Sequence, residues 1–401
     1  MMKLLILSTK LPYPPKDGGA IATLNLAEGL AGAGMEVDML SVNTRKHYFP
    51  VQDIPGHLRK LIRFHAVDLD TSPRLLRALL NLLFSRQPYI SERFKSKAFA
   101  DRLKQLLING EYDIVQMEGP YLAYLLPLIR NHSAAKVSLR AHNIEHEIWE
   151  RRTANSMNIF SRLYFRNLAG RIRKLEETLA DESDMIVAIS ERDRKRFAEI
   201  SPATETITIP TGMDLSKYPL TDAKPGTSIC FIGALDWAPN TEGLRWFLRK
   251  VMPLLLQDNP SAELHIAGRN APAALVRELT EAPNIHFAGE VEDAHSFMRS
   301  FRLMVVPLLT GSGIRIKILE GMASGMCIVT STIGAEGIPA ESGRHLLIAD
   351  RPEDFARNIQ QTLANKPLQE RLGSEARKLL MEKFDTFTIA TELVNFYNRS
   401  E

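Results

Sequence analysis

Within residues 311–320 (GSGIRIKILE) stand two glycines, Gly311 and Gly313, two cations, Arg315 and Lys317, and one carboxylate, Glu320. An apolar strand pattern, Leu303–Pro307, leads into this stretch, and a helical pattern, Ile316–Ala323, leads out of it. Glycines at the mouth of a helix let backbone N–H groups approach an anion closely, and the helix terminus adds partial positive charge. Arginine grips phosphate oxygens with two donors, and lysine supplies a compact charge. Glu320 lies three residues beyond Lys317, on the same helical face, where its carboxylate can accept from ribose hydroxyls. These residue types in this order suit a nucleoside diphosphate. The alternative is an exposed Lys–Glu pair on an amphipathic helix.

Two more loops carry candidate chemistry. Thr9–Gly19 (TKLPYPPKDGG) leaves the first strand and ends on Gly18 and Gly19 just before a helix. A phosphate site and a plain surface turn with a helix cap both fit it. The loop is not the Gly-x-Gly-x-x-Gly fingerprint, which argues against a nicotinamide-dependent dehydrogenase. In RAHNIEHEIW (140–149), His142, Asn143, Glu145 and His146 crowd the point where a strand ends and a helix begins. His142–His146 fits the His-x-x-Glu-His pattern of one class of zinc peptidases. Zinc needs both rings on one helical face and a third ligand downstream. His142 directly follows the strand KVSLRA, so it precedes the helix, and no metal site is expected. A structural cap with surface histidines is the other reading. Asp68-Leu-Asp70, the one Asp-x-Asp triplet, carries no metal expectation either.

Strands alternating with helices must position these loops. In the first half the strand patterns are Lys3–Ser8, Glu36–Val42, Tyr112–Met117, Lys136–Arg140, Met185–Ile189 and Thr206–Pro210, with a helix at Ala20–Ala33. In the second half they are Thr227–Ile232, Glu263–Ala267, Asn284–Phe287, Leu303–Pro307 and Cys327–Thr330. Helices are expected there at Thr241–Leu256, Ala271–Thr280, Ala294–Ser300 and Ile316–Ala323. Such alternation predicts an α/β chain of two doubly wound, Rossmann-like parallel-sheet domains facing each other across a cleft, with ligands at the carboxyl ends of the strands. The expected division is 1–215, a linker at 216–226 (SKYPLTDAKPG), 227–380, and a C-terminal helix in 381–401 that packs back on the first domain.

Composition fits that frame. With 401 residues, 45% hydrophobic and 24% charged, the chain is an ordinary globular protein. Its two cysteines, Cys230 and Cys327, lie in apolar runs, which predicts buried thiols and a reducing compartment. The N-terminal apolar run is too short for a signal peptide, and no apolar window is long enough to span a bilayer. A cytoplasmic protein is expected. Residues 1–214 carry a net +5 and residues 215–401 a net −2, so the surplus behind the overall +3 lies in the first half. Ser72–Lys104 concentrates it around LLRALLNLLF, with Arg74, Arg77, Arg86, Arg93, Lys95, Lys97, Arg102 and Lys104. One expectation is a helix lying on the anionic inner face of the plasma membrane; the other is a helix packed on the sheet with solvated cations. Nothing points to nucleic acid.

Taken in order, several of these pieces resemble the family 4 retaining glycosyltransferases of the GT-B fold. The resemblance rests on the Gly18-Gly19 loop, Val187–Ser190 (VAIS) with the Arg192/Arg194 helix, and Ile209–Asp214 (IPTGMD). It continues through Phe231-Ile-Gly233, His265-Ile-Ala-Gly268, Ile285–Gly289 (IHFAG) and Gly311–Gly325 leading to VTSTIGAEG. It implies a nucleotide-diphosphate-sugar donor as substrate without a cofactor, and a lipid-linked or saccharide acceptor in bacterial polysaccharide assembly. Gly19 would contact the donor diphosphate and His142 the transferred sugar. Glu320 would bind the ribose, and Gly289 and Val291 would meet the base. Two departures stand out. Ser312 occupies the place of a first glutamate eight residues before Glu320, and GALDWAPNTEG after Gly233 lacks the family's Arg and Lys. Arg315 and Lys317 would supply those cations. A nucleotide-sugar epimerase of the same architecture and a non-catalytic sugar-nucleotide binding protein are the rival readings.

Overall fold

The computed structural model describes residues 1–154, 158–220, 228–311 and 313–399. They form two compact units, one of Met1–Gly212 with Thr386–Glu401, the other of Met213–Asp385. The first unit holds β1 (Lys3–Ser8), β2 (Glu36–Thr44), β3 (Ile62–Leu69), β4 (Ile114–Glu118), β5 (Lys136–Ala141), β6 (Met185–Ala188) and β7 (Glu205–Thr208). Their spatial order is β3-β2-β1-β4-β5-β6-β7, and every pairing is parallel. Helices cover both faces of such a sheet, so its central strands read as unbroken apolar runs: Leu4–Leu7 is wholly buried. β3 was not expected from the sequence. It is an edge strand with Arg63 and Asp68 exposed and His65, Ala66 and Val67 half-buried, so IRFHAVDL lacks the apolar run that marks the others.

The C-terminal helix Thr386–Arg399 belongs to this first unit and packs on the helix Gly18–Gly32. Gly29 permits the close approach, because a Cβ there would stand 2.7 Å from Thr386 Cγ2. The helix Lys97–Gly110 buries Phe99, Leu103 and Leu107 in the core. Leu75–Phe84 forms the expected helix but buries none of its residues; Leu75 is 92% exposed and Phe84 81%. Packing on the sheet is therefore not what this helix does. No helix among the described residues is long and apolar enough to cross a membrane.

The second unit holds β8 (Ser228–Ile232), β9 (Glu263–Ala267), β10 (Ile285–Gly289), β11 (Leu303–Val306), β12 (Cys327–Thr330) and β13 (Leu347–Ile348), in the order β10-β9-β8-β11-β12-β13. Both sheets reverse direction beside their first strand, between β1 and β4 and between β8 and β11. Crevices at the carboxyl ends of such reversals are where open α/β sheets take ligands. Cys230 and Cys327 are buried, free thiols. The single helix expected at Thr241–Leu256 is instead Ala238–Trp246, a π-helical turn Phe247–Val251, and Met252–Asp258. Pro253 explains the break, since it has no N–H to donate and crowds the preceding turn. The expected linker, 216–226, begins inside a short 3₁₀ turn, Leu215–Lys217, and its residues 221–226 lie outside the described residues.

Candidate functional site

At the reversal of the first sheet sits Glu118, the buried last residue of β4. One of its oxygens accepts from three groups: Thr23 Oγ1 at 2.8 Å, Arg140 Nη1 at 3.0 Å and His142 Nε2 at 2.6 Å. The other accepts from Gln116 Nε2 at 2.5 Å. Burial pushes the Glu118 carboxyl up, but the Arg140 charge and the His142 and Thr23 bonds outweigh it and hold the group down at about 2. An ionised carboxylate only accepts, so His142 Nε2 carries the proton, and in the neutral ring Nδ1 keeps its lone pair for a ligand. His142 stands between the end of β5 and the helix Glu145–Ala154, with part of its ring in solvent. Arg140 is fully buried, and its Nε and Nη2 have no hydrogen-bond partner among the described residues.

His146 addresses a different carboxylate. It is 1% exposed, with Nδ1 2.6 Å from Glu176 Oε2, and Glu176 also accepts from the Glu145 amide at 2.9 Å. The His-x-x-Glu-His spacing therefore does not bring its two rings together. Gly18 and Gly19 open the helix Gly18–Gly32, where Asp17 caps Ala20 N at 3.0 Å and pairs with Lys10 Nζ. A Cβ on Gly19 would lie 3.4 Å from Lys10 Nζ, so an anion reaching Gly19 meets that ammonium and must share the terminus with Asp17. A separate cavity of about 270 Å³ opens beside the carboxyl ends of β2 and β3, lined by Asn43, Arg45, Tyr48, Asp68, Leu69 and Asp70. Asp68 there accepts from Asn43 Nδ2 at 2.9 Å, and Asp70 caps Ser72 N.

In the second unit, Lys317 reaches back to the neighbouring strand. Its Nζ donates to the carbonyl of Ile232, the last residue of β8, at 2.9 Å and to Asn240 Oδ1 at 2.7 Å. Gly233 makes the room: a Cβ there would fall 2.7 Å from Nζ and 2.6 Å from Asn240 Nδ2. Lys317 thus delivers a cation to the loop after β8, where the sequence lacks one. Arg315 is buried, donates Nη1 to the Gly313 carbonyl and stands 5.9 Å from the Trp237 ring. Both expected phosphate cations are thus already tied to the protein. Gly311 and Gly313 take φ of +115° and +81°, the left-handed region that favours glycine. Ser312 lies outside the described residues.

Glu320 shares the Lys317 face, as the spacing predicts. Burial raises its carboxyl against the pull of Lys317, and burial with the Arg315 charge lowers the Lys317 ammonium. Tyr218 is buried nearby, its phenol pushed up by burial and by the Glu320 charge, and its ring meets His295 edge-on with centroids 4.5 Å apart. Gly289 closes β10 with φ of +71° and accepts from Gly268 N at 2.8 Å; Val291 follows, half-buried, in the next loop.

Sequence reasoning passed over Glu118, Arg140, Thr23, Lys10, Asn240, Trp237 and Tyr218. Two of these left a signal. IVQME ends on buried Glu118 and KVSLRA carries Arg140 in its buried part, and opposite charges facing each other on adjacent buried strands ask for each other.

Residues 16–217 match the family described as Glycosyltransferase Family 4, and residues 226–365 the one described as Glycosyl transferases group 1. An uncharacterized 44.6 kDa protein in the cps region of Klebsiella pneumoniae is 25% identical over 398 residues, covering 96% of this chain and 97% of that one. The phosphatidyl-myo-inositol mannosyltransferase of Mycobacterium tuberculosis H37Rv is 23% identical over 310 residues, 74% of this chain and 76% of that one. Among solved structures, sucrose-phosphate synthase from Thermosynechococcus elongatus has a TM-score of 0.73 at 18% identity, over 100% of this chain and 99% of that one. Anabaena HepE in complex with UDP has a TM-score of 0.67 at 15% identity, over 99% and 100% of the two chains. At these identities the structural likeness speaks for the fold.

Proposed function

The chain belongs to glycosyltransferase family 4, with the GT-B fold, and from that premise we propose its reaction. It transfers a sugar from a nucleoside-diphosphate donor to a saccharide or lipid-linked acceptor, with retention of configuration, in building a cell-surface polysaccharide. The observation that carries the donor half is the meeting of Gly233, Lys317 and Glu320, with Gly311 and Gly313 leading into the same helix, at the reversal of the second sheet. UDP is the ligand of HepE, and the cps region and phosphatidyl-myo-inositol appear in the names of the two relatives; these support the donor and acceptor classes.

In this reading Glu320 accepts from the ribose, and Gly289 and Val291 border the base. As the glycosidic bond to the diphosphate breaks, negative charge grows on the departing phosphate oxygens. Lys317, Arg315 and the amides of the glycine turn oppose that charge as fixed donors do in an oxyanion hole. The first unit's own part in this reading is His142, which binds the transferred sugar through the ring atom that Glu118 leaves available, while Gly18 and Gly19 with Lys10 offer donors to an anion. A thermal-shift screen of nucleoside diphosphates, followed by radiolabelled donor turnover with and without acceptor, tests this. A ligand at about 100 times its dissociation constant adds roughly 2.7 kcal/mol. Glu320→Ala should weaken that binding about ten-fold or more, since a hydrogen bond to a charged group is worth roughly 1.5–3 kcal/mol. Wild-type response in that variant removes Glu320 from the site, and donor interconversion without acceptor makes the protein an epimerase.

The same chain docks on an anionic membrane surface through the helix Leu75–Phe84. Leu76, Leu79, Leu80 and Leu83 are exposed with Leu75 and Phe84, and Ile159, Phe160 and Leu163 are exposed at the start of the helix Ile159–Glu182. Arg171 of that second helix donates to the carbonyls of Asn81 and Leu82, which fixes the two elements together. Arg74, Arg77, Arg86, Arg162 and Arg166 are exposed alongside. Apolar side chains with basic flanks are the composition of a helix lying in the headgroup region.

A further inference from the structure

We propose that Glu263, His265 and His286 bind one divalent transition-metal ion, of the zinc or nickel type, at the outer edge of the second sheet. His265 on β9 and His286 on the edge strand β10 stand directly opposite each other in parallel register. Their rings stack with centroids 4.5 Å apart and planes 19° from parallel. Glu263 is two residues before His265, so its side chain leaves the same face of the sheet. One carboxylate oxygen lies 3.4 Å from His265 Nε2 and the other 3.5 Å from His286 Nε2.

Those separations match an ion better than they match hydrogen bonds. Two ligands each about 2.0–2.1 Å from a tetrahedral zinc stand about 3.4 Å from one another. The three ligand atoms already lie within 4.8 Å of each other. What remains is to bring the two imidazole nitrogens together, and His286, on the exposed edge, can turn its ring to do so. His265 is the anchored partner: the Phe301 ring packs against it at 4.8 Å, and its buried Nε2 makes no hydrogen bond among the described residues. Two imidazoles and a carboxylate suit zinc, nickel, cobalt or copper, whereas magnesium and calcium prefer oxygen alone. Water completes the shell.

Position says what the ion would do. Glu263 is the first residue of β9, so the site lies toward the amino ends of the strands, away from the carboxyl-end loops of the candidate donor site. An ion there ties edge strand β10 to its neighbour, and an edge strand is the element of a sheet most in need of a tie. The inference does not depend on the proposed transfer reaction.

Calorimetric titration of the EDTA-treated full chain with zinc chloride tests it, with cobalt chloride added separately to read ligand-field bands in the visible spectrum. One ion per chain and tetrahedral cobalt bands are expected. His286→Ala and Glu263→Gln should each lose about 100-fold or more in affinity, beyond the 10–100-fold typical for outer-shell changes. Both positions are solvent-accessible, so the metal-free variants should melt with the metal-free wild type. The control His57→Ala, at an exposed position in the other unit, should bind as wild type does. Absence of uptake by the wild type, or wild-type affinity in His286→Ala, overturns the proposal and leaves a plain stacked pair beside a carboxylate.

Discussion

Glu118 accepts from Thr23, Arg140 and His142 with one oxygen, and two predictions follow from how much depends on that atom. Its folded pKa of about 2 lies below the ordinary 4.5. The stability it contributes is therefore complete above the ordinary value and drains away as the pH falls from about 4.5 toward about 2. A shift of that size is worth roughly 3 kcal/mol. Glu118→Gln should remove Glu118's share of the acid-side loss in that window, leaving the share of the other lowered carboxyls. At neutral pH the same variant leaves the buried Arg140 without its counter-charge, at a cost of about 3–5 kcal/mol. Urea unfolding at neutral pH and across the acid window checks both, and an unchanged acid slope in the variant sinks the assignment. The two histidines separate function from stability. His142→Ala should abolish transfer while the fold stays intact, because the ring is partly in solvent. His146→Ala should mainly destabilise, since it leaves a cavity and strips Glu176 of a bond. Loss of transfer in the His146 variant alone would reverse these roles.

Elements were legible in the sequence where burial is complete on both faces and obscure where it is not. β1, β12 and the helix Ile316–Ala323 fall where the apolar runs place them, because a central parallel strand has no solvent face to interrupt its pattern. β3 was missed for the converse reason, and β13 is only two residues long. The glycine turn before Ile316–Ala323 was readable because φ near +80° to +115° selects glycine in the sequence itself. What Lys317 reaches was not readable: its partners are 77 and 85 residues away, and no local pattern encodes that register. Local sequence also left the helix Leu75–Phe84 undecided, since an amphipathic leucine face reads the same whether protein or lipid covers it. Exposure of the whole face decides against the sheet. Each exposed cation near an anionic surface contributes about 1 kcal/mol, so the full chain should co-sediment with anionic vesicles at low salt and come off at high salt. Leu76→Asp with Leu80→Asp should prevent it. Failure to bind at low salt removes the membrane from the proposal.

Chain connectivity sets a prediction for the molecule as a whole. The second unit is one continuous segment whose ends close on each other: Met213 N donates to the Phe384 carbonyl at 2.7 Å, and Met213 bridges Asp385. The first unit is discontinuous, because Thr386–Arg399 returns to it. There Tyr397 OH donates to Gln116 Oε1 at 2.6 Å and lies 3.0 Å from Ser138 Oγ, while Gln116 in turn donates to Glu118. Removing that helix bares the groove at Gly29, uncovers the sites of Ile389, Leu393 and Tyr397, and strands Gln116 and Ser138. Each stranded buried group costs about 1–3 kcal/mol, a large part of the stability of an ordinary domain. Residues 213–385 expressed alone should therefore melt cooperatively and keep the stabilisation by nucleoside diphosphate, since every candidate donor group of the second unit lies within them. Residues 1–212 alone should not melt cooperatively, and appending 386–401 through a flexible linker should restore the transition. Thermal unfolding followed by circular dichroism reads all three fragments. A cooperative, stable 1–212 fragment would mean that the C-terminal helix merely covers the first unit and does not complete it.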